Sequence, residues 1–168
     1  MNFKERLNKV TTFIFDIDGV ISGEKVFLFE DKPLKSFNLK DGYAIQLAIK
    51  KGYRVCIISG SRSESLRERL FKLGVRDLFY SQSDKLHCYN EYIKQHQLLD
   101  EQIVYMGDDL PDLAVMQRVG VPVCPNDAAS EIRNCSVYIS RRNGGDACVR
   151  DIIEQVMRLQ GKWEASGW

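Results

Sequence analysis

Two carboxylates stand two positions apart in Phe15-Asp16-Ile17-Asp18-Gly19, at the end of an apolar run. In open α/β sheets, ligands bind beyond the carboxyl ends of the strands. A pair spaced i, i+2 at such an end can divide the work: one carboxylate attacks an electrophile and the other handles protons. Gly19 lets the backbone turn sharply away. Taken alone, the pair can equally do no more than terminate a strand. A second acidic cluster, Gly107-Asp108-Asp109 with Asp112 behind it, also follows an apolar run and opens a helix. Acids are favoured at a helix N-terminus by the dipole in any case. Two such strand ends converging in one sheet would repel, by about 4 kcal/mol for unit charges about 4 Å apart at an effective dielectric near 20. A hard, oxygen-liganded Mg²⁺ between them turns repulsion into binding.

Two weaker signals accompany the acids. Ser59-Gly60 closes another apolar run and offers a hydroxyl and free backbone N–H groups to a phosphate oxygen, although Ser-Gly is also ordinary turn chemistry. Lys85, in Ser83-Asp84-Lys85, opens a helix after a third apolar run. A single lysine is usually a solvated side chain; its place after a strand is what singles it out.

The elements that must position these residues alternate along the chain. Strands are expected at Thr12 to Ile17, Tyr53 to Ile58, Val75 to Tyr80, Ile103 to Met106, Val121 to Cys124 and Val137 to Ile139. Helices are expected at Asp41 to Lys51, closed by Gly52, and from a Ser63 cap through Leu66, Leu70 and Leu73 to Gly74. Others follow at Asp84 to Gln97, after Asp109 with Pro111 in the first turn, and at Asp146 to Leu159. Strands alternating with helices predict an α/β fold, a Rossmann-like doubly wound, mostly parallel sheet covered on both faces. One segment breaks the pattern: Lys25–Phe29 and Leu34–Leu39 flank Glu30-Asp31-Lys32-Pro33 and read as a β-hairpin insertion over 24–39 after the first strand. The tail, 161–168, carries two tryptophans and little to anchor it, so it is expected to be flexible.

The chain has 168 residues, room for one compact domain over 1–168, and 44% are apolar, enough for a core. A net charge of +1 argues against a nucleic-acid partner. No run approaches 18 apolar residues, which argues against a membrane span, and nothing at the amino terminus reads as a secretory signal. Cys56, Cys88, Cys124, Cys135 and Cys148 are odd in number, irregularly spaced and free of any C-x-x-C pair, so buried reduced thiols in a cytoplasmic protein are the simplest reading. Two histidines exclude a His-rich metal site.

Asp16-Ile17-Asp18-Gly19, Ile57-Ile58-Ser59-Gly60, Lys85 and Gly107-Asp108-Asp109, in that order, resemble the haloacid dehalogenase superfamily of phosphatases. The resemblance implies Asp16 as nucleophile on phosphorus and Asp18 as the acid that protonates the leaving alcohol and then activates water. It implies Mg²⁺ held by Asp16, the backbone carbonyl of Asp18 and Asp108, with Asp109 supporting the metal or its waters and Asp112 a weaker candidate. Ser59 and Lys85 would bind phosphate oxygens. A carboxylate attacking a phosphate dianion meets like charge, which Mg²⁺ and Lys85 must cancel.

The hairpin and one helix fill the chain between the first two motifs, and no cap domain fits between Lys85 and Asp108. This layout resembles the capless phosphatases of 3-deoxy-D-manno-octulosonate 8-phosphate (KDO 8-phosphate). The matching segments are Lys35-Ser36-Phe37-Asn38-Leu39-Lys40-Asp41-Gly42, Gln82-Ser83-Asp84-Lys85-Leu86, Gly107-Asp108-Asp109-Leu110, and Gly144-Gly145 before Val149-Arg150. That resemblance implies a small phosphorylated sugar acid as substrate, a cytoplasmic step toward lipopolysaccharide, and a homotetramer in which hairpins pack together and a neighbour helps close the site. Gly60, Arg62, Lys40, Arg141, Arg142 and Arg150 are the candidate substrate contacts, the five cations for its carboxylate. Many relatives carry arginine after the threonine-glycine of the second motif, where this chain has Ser61-Arg62, and the late loop reads Gly144-Gly145-Asp146-Ala147 instead of the usual G-G-x-G-A. Three alternatives stand beside this reading: a phosphatase for a nine-carbon sugar acid, an inert oligomerisation module, and a response-regulator receiver. The last would place its phosphate acceptor after the third strand, where this chain has Tyr80-Ser81.

Overall fold

A computed structural model describes residues 2–30 and 32–164. The chain opens with a short helix, α1 (Phe3–Asn8), and enters the sheet at β1 (Thr12–Phe15). The hairpin strands β2 (Phe27–Phe29) and β3 (Lys32–Leu34) precede α2 (Leu39–Lys50) and β4 (Arg54–Ile58). Then come α3 (Glu64–Lys72), β5 (Asp77–Phe79), α4 (Lys85–His96), β6 (Ile103–Met106), α5 (Leu113–Arg118), β7 (Val121–Cys124), α6 (Ser130–Cys135), β8 (Tyr138–Ile139) and α7 (Cys148–Leu159).

The six body strands form one sheet in the order β5-β4-β1-β6-β7-β8, and every pairing in it is parallel. The strand order reverses beside β1, the topological switch point at which such sheets bind ligands. Register places the key strand ends level: Phe15 pairs with Ile57 on one side and with Met106 on the other. Asp16, Ile58 and Gly107 therefore leave the sheet at the same height.

The strands are apolar without a break because both faces are covered. Phe13 and Phe15 point into one core with Ala44, Ile45 and Ala48 of α2 and Ile152, Ile153 and Val156 of α7. Ile14, between them, points to the opposite face, with Tyr89 and Tyr92 of α4, Val115 and Met116 of α5, and Ile132 of α6. That is the two-residue alternation of a strand. Two helices are capped by side chains: Asn38 accepts from Lys40 N at 2.9 Å and Asp84 from His87 N at 2.9 Å.

Several boundaries differ from the sequence reading. Ser63 occupies the cap position of α3, but its hydroxyl makes no capping bond and lies 3.3 Å from Ser65 Oγ. Pro111 sits in a single 3₁₀ turn, Leu110–Asp112, that leads into α5. α1 and α6, six residues each, were not expected. The hairpin strands are shorter than 25–29 and 34–39: Leu28 pairs with Pro33 and Phe29 with Lys32, so two residues of the expected turn belong to β3. Residues 35–38 are not strand; Lys35, Ser36 and Phe37 contact the body instead. Among the described residues the hairpin pairs only with itself, and it is exposed on Phe27, Leu28, Phe29 and Leu34, with Phe27 at 68%. Of the tail, Trp163 is anchored rather than loose. Its ring meets Tyr43 edge-on at 6.3 Å, and the Arg150 and Arg158 guanidinium groups lie 5.2 and 5.9 Å from it. The second tryptophan, Trp168, lies outside the described residues. No helix among the described residues is long and apolar enough to cross a membrane.

Candidate active site

Asp16 follows β1 directly, and its backbone N–H still donates to Met106 O of β6, at 3.1 Å. The chain then folds tightly, with the N–H groups of Val20 and Ser22 both donating to Ile17 O. Gly19 has a φ of +79°, and a Cβ there would run into the Asp108 carboxylate from the end of β6. A residue with a side chain would both strain the backbone and displace that acid. From the other side, Gly144 and Gly145 brace the same turn. Gly145 N donates to Val20 O at 2.8 Å, and a Cβ on Gly144 would meet the Gly19 carbonyl.

A cavity of about 570 Å³ opens over these strand ends, lined among others by Asp16, Asp18, Gly60, Lys85, Asp108 and Asp109. Asp16 lies at its floor, buried. Lys85, at the first turn of α4, reaches Asp16 Oδ1 at 3.0 Å and Asp112 Oδ1 at 2.7 Å with only 3% of its side chain exposed. Asp112 is itself fully engaged. Its Oδ1 also accepts the buried Tyr105 hydroxyl at 2.6 Å, and its Oδ2 accepts Asp108 N at 3.1 Å. Burying an ammonium is costly unless it is paired and hydrogen-bonded. Two carboxylates meet that need here.

The charge count is what points to a cation. Carboxylate oxygens of Asp16, Asp108 and Asp112 lie within 4.8 Å of one another, against one ammonium. Burial and then the Asp112 charge push the Asp16 carboxyl up to about 7, against the pull of Lys85. Burial, then Asp16 and Asp112, push Asp108 up to about 8. Burial alone would lower the Lys85 ammonium, but Asp112 and Asp16 outweigh it and its pKa is raised. Burial and crowding favour protons on Asp16 and Asp108 unless a divalent cation replaces them. With Asp112 committed to Lys85, Tyr105 and a backbone N–H, Asp16 and Asp108 are the carboxylates that fit such an ion. All-oxygen donors suit Mg²⁺.

The remaining sequence candidates fall into three groups. Asp18 lies at the cavity wall, bound by Lys35 Nζ at 2.6 Å and Ser61 Oγ at 2.5 Å. Asp109 stands at the rim, exposed, and caps its own turn through Leu110 N at 2.8 Å. Gly60 lines the cavity, whereas Ser59 is fully buried beneath it, its hydroxyl accepting Ser61 N at 3.2 Å. Lys40, Arg142 and Arg150 line a second cavity of about 620 Å³ on the α2–α7 side, which shares no lining residue with the first. Arg62 is exposed and ion-paired with Glu64 at 3.5 Å, and Arg141 is exposed and lines neither cavity. Sequence reasoning did not single out Lys35, Ser61 or Tyr105, and ranked Asp112 low. Tyr105 carried a signal, a polar tip in an otherwise apolar strand, since a buried tyrosine hydroxyl needs a partner.

This arrangement can bind a phosphate dianion beside an ammonium and a divalent cation, and can present a carboxylate to phosphorus with a second one beside it. No protein-family profile matches the chain. A curated relative, the 3-deoxy-D-manno-octulosonate 8-phosphate phosphatase KdsC of Yersinia pestis, is 36% identical over 163 residues, 96% of this chain and 87% of its own. A 1.95 Å crystal structure of the phosphatase of that name from Yersinia pestis superposes with a TM-score of 0.92, at 36% identity over 96% of this chain and 88% of that one. The corresponding protein from Moraxella catarrhalis, in complex with a magnesium ion, a phosphate ion and a KDO molecule, also gives a TM-score of 0.92, at 27% identity over 96% and 94% of the two chains.

Proposed function

This chain belongs to the 3-deoxy-D-manno-octulosonate 8-phosphate phosphatase family of the haloacid dehalogenase superfamily, and we propose that it hydrolyses KDO 8-phosphate to KDO and inorganic phosphate with Mg²⁺. The observation that carries the reading is the meeting of Asp16, Asp108, Asp112 and Lys85 at the switch point of the sheet, on a backbone shared with that family.

Asp16 attacks phosphorus and forms an acyl phosphate. Asp18 gives its proton to the departing sugar oxygen, then takes one from the water that cleaves the acyl phosphate. Lys85, freed in part from Asp16 as that oxygen bonds to phosphorus, turns its ammonium on the phosphoryl oxygens while Asp112 and Tyr105 keep its direction. Ser59, beneath the loop, fixes Ser61 and with it the backbone N–H groups that face the phosphate. Asp16, Asp108 and the backbone carbonyl of Asp18 would hold Mg²⁺, with Asp109 in support. When bound, the ion neutralises charge on phosphorus's oxygens and on the attacking carboxylate.

The exposed hairpin is the assembly element in this reading. A lone two-stranded hairpin with an apolar face is marginal in water, and Phe27, Phe29 and Leu34 share such a face, with Leu28 exposed on the other. Packed hairpins in a homotetramer would cover it and bring a neighbour to the open cavity. The substrate's carboxylate would then be met by basic groups beyond those on this cavity's own wall, with Lys40, Arg142 and Arg150 the candidates from the second cavity. The reading also places the reaction in the cytoplasm, on the way to lipopolysaccharide; the five cysteines, all unpaired thiols, support that compartment. The test is kcat/KM across eight- and nine-carbon sugar-acid phosphates. A clear maximum at KDO 8-phosphate supports the assignment; a maximum at a nine-carbon acid moves it to the sister activity, and a flat profile removes the specificity claim.

A further inference from the structure

Where the hairpin returns to the body, the chain buries a lysine that none of the four motifs contains. Lys35 follows β3 directly, and its side chain is 6% exposed. Its Nζ lies 2.6 Å from Asp18 Oδ1 and donates to Ser61 Oγ at 2.7 Å. Ser61 in turn donates to Asp18 Oδ2 at 2.5 Å. The three groups close a triangle drawn from three separate segments: the turn after β1, the root of the hairpin and the loop after β4. The Asp18 side chain keeps 41% exposure at the cavity wall, but the ammonium has left water, and Asp18 is its one carboxylate partner among the described residues. A buried ammonium with a single acid partner is held firmly on that acid.

We infer that Lys35 is the positioning residue of Asp18, fixing which carboxylate oxygen exchanges the proton. The inference rests on the phosphatase reading above. In the first half of that reaction an Asp16 oxygen bonds to phosphorus and the P–O bond to the sugar breaks. The electron pair stays on the sugar oxygen, which takes the proton carried by Asp18. In the second half a water oxygen bonds to phosphorus, its proton returns to Asp18, and the bond from phosphorus to Asp16 breaks. The same oxygen of Asp18 has to face the reacting atoms in both halves. An ammonium can only donate, so the oxygen on Lys35 stays an acceptor throughout. A hydroxyl both donates and accepts, so the oxygen on Ser61 can carry a proton or not. Lys35 thus reserves Oδ1 as the fixed end of the carboxyl and leaves Oδ2 as the working end. Because Lys35 stands at the hairpin's root, the hairpin's placement and the aim of Asp18 are one structural unit.

The test exploits leaving groups. The sugar oxygen of KDO 8-phosphate needs a proton to depart, whereas 4-nitrophenolate leaves from 4-nitrophenyl phosphate without one. Single-turnover rates of the first step are measured for both, with Mg²⁺, in the wild type, Lys35→Met and Lys35→Arg. The expected result for Lys35→Met is a loss of about 30-fold or more on KDO 8-phosphate, within the range general acid catalysis supplies. Nitrophenolate release stays within about threefold of wild type, and Lys35→Arg recovers most of the loss. Equal losses on both substrates, no loss on either, or a rise in KM alone would overturn the inference, the last by making Lys35 a plain substrate contact. Should Lys35→Met fail to fold, Lys35→Gln carries the same comparison. Wild-type rates judge the parent reading separately: an enzyme that releases nitrophenolate but spares KDO 8-phosphate contradicts the substrate assignment, and Lys35 is then judged with whichever alkyl phosphate the wild type accepts.

Discussion

The carboxylate of Asp112 holds the ammonium of Lys85 at 2.7 Å, and it does so with 1% of its own side chain exposed. The same carboxylate accepts the Tyr105 hydroxyl and the Asp108 N–H. One acid therefore orients the residue that would meet phosphate, anchors a buried phenol and fixes the backbone of the loop that carries Asp108. Asp112→Ala strands an ammonium beside Asp16 alone and leaves a buried hydroxyl and an N–H without acceptors. The expected cost is about 3–5 kcal/mol of stability, read from urea unfolding, with loss of nearly all phosphatase activity. Asp112→Asn keeps the shape and part of the acceptor set and should cost about 1–3 kcal/mol, so the two variants separate the charge from the hydrogen bonds.

Stability without metal should fall as pH rises. Asp16 and Asp108 keep their protons in the folded chain up to about 7 and about 8, and Asp41, raised mainly by burial, up to about 6, against an ordinary 3.8. Between those values the folded state binds more protons than the unfolded one, so the unfolding free energy declines from about pH 4 to about pH 8. Mg²⁺ takes the place of the protons on Asp16 and Asp108, so its stabilisation grows over the upper part of the same window. Thermal melts with EDTA and with Mg²⁺ between about pH 5 and about pH 8 check both slopes: Tm falls with EDTA, and the Mg²⁺-induced rise in Tm widens.

The hairpin face sets the assembly prediction. Replacing Phe27, Leu28 and Phe29 together by serine removes the apolar surface while keeping the strand positions that pair with Lys32, Pro33 and Leu34. Sedimentation velocity should show a wild-type tetramer and a smaller triple variant. If a neighbour completes the cavity, KM for KDO 8-phosphate rises about tenfold or more in that variant, because substrate contacts are lost with the subunit.

The acids at the ends of β1 and β6 were legible because each follows an unbroken apolar run, and the run itself reports a strand covered on both faces. Strand order and register are tertiary facts, yet the alternation of strands and helices already restricted them to a parallel sheet. Asp112 was underrated because an acid in the first turn of a helix has a sufficient local reason to be there. Its real partners, Lys85 and Tyr105, come from α4 and β6. Lys35 was hidden for a similar reason: nothing local distinguishes a lysine in a hairpin from a solvated one, and only the fold brings it to Asp18. α1 did carry a signal, the reciprocal cap of Asn2 and Glu5, with Glu5 N donating to Asn2 Oδ1 at 2.9 Å and Asn2 N to Glu5 Oε2 at 3.0 Å. Lys40, Arg142 and Arg150 show the limit of reading by proximity to motifs. Lys40 and Arg150 lie in matched segments, but α2, α7 and, for Arg142, the loop after β8 place them at a different cavity.

In the proposed cycle Asp16 carries the phosphoryl group between substrate and water. Rapid acid quench of the enzyme turning over KDO 8-phosphate with Mg²⁺, followed by peptide mass spectrometry, tests it directly. A phosphorylated peptide containing Asp16 should form within the first turnover, decay as inorganic phosphate appears, and be absent with EDTA or in Asp16→Asn. Phosphate release at the wild-type rate from Asp16→Asn, or a phosphorylated peptide that does not contain Asp16, would contradict it.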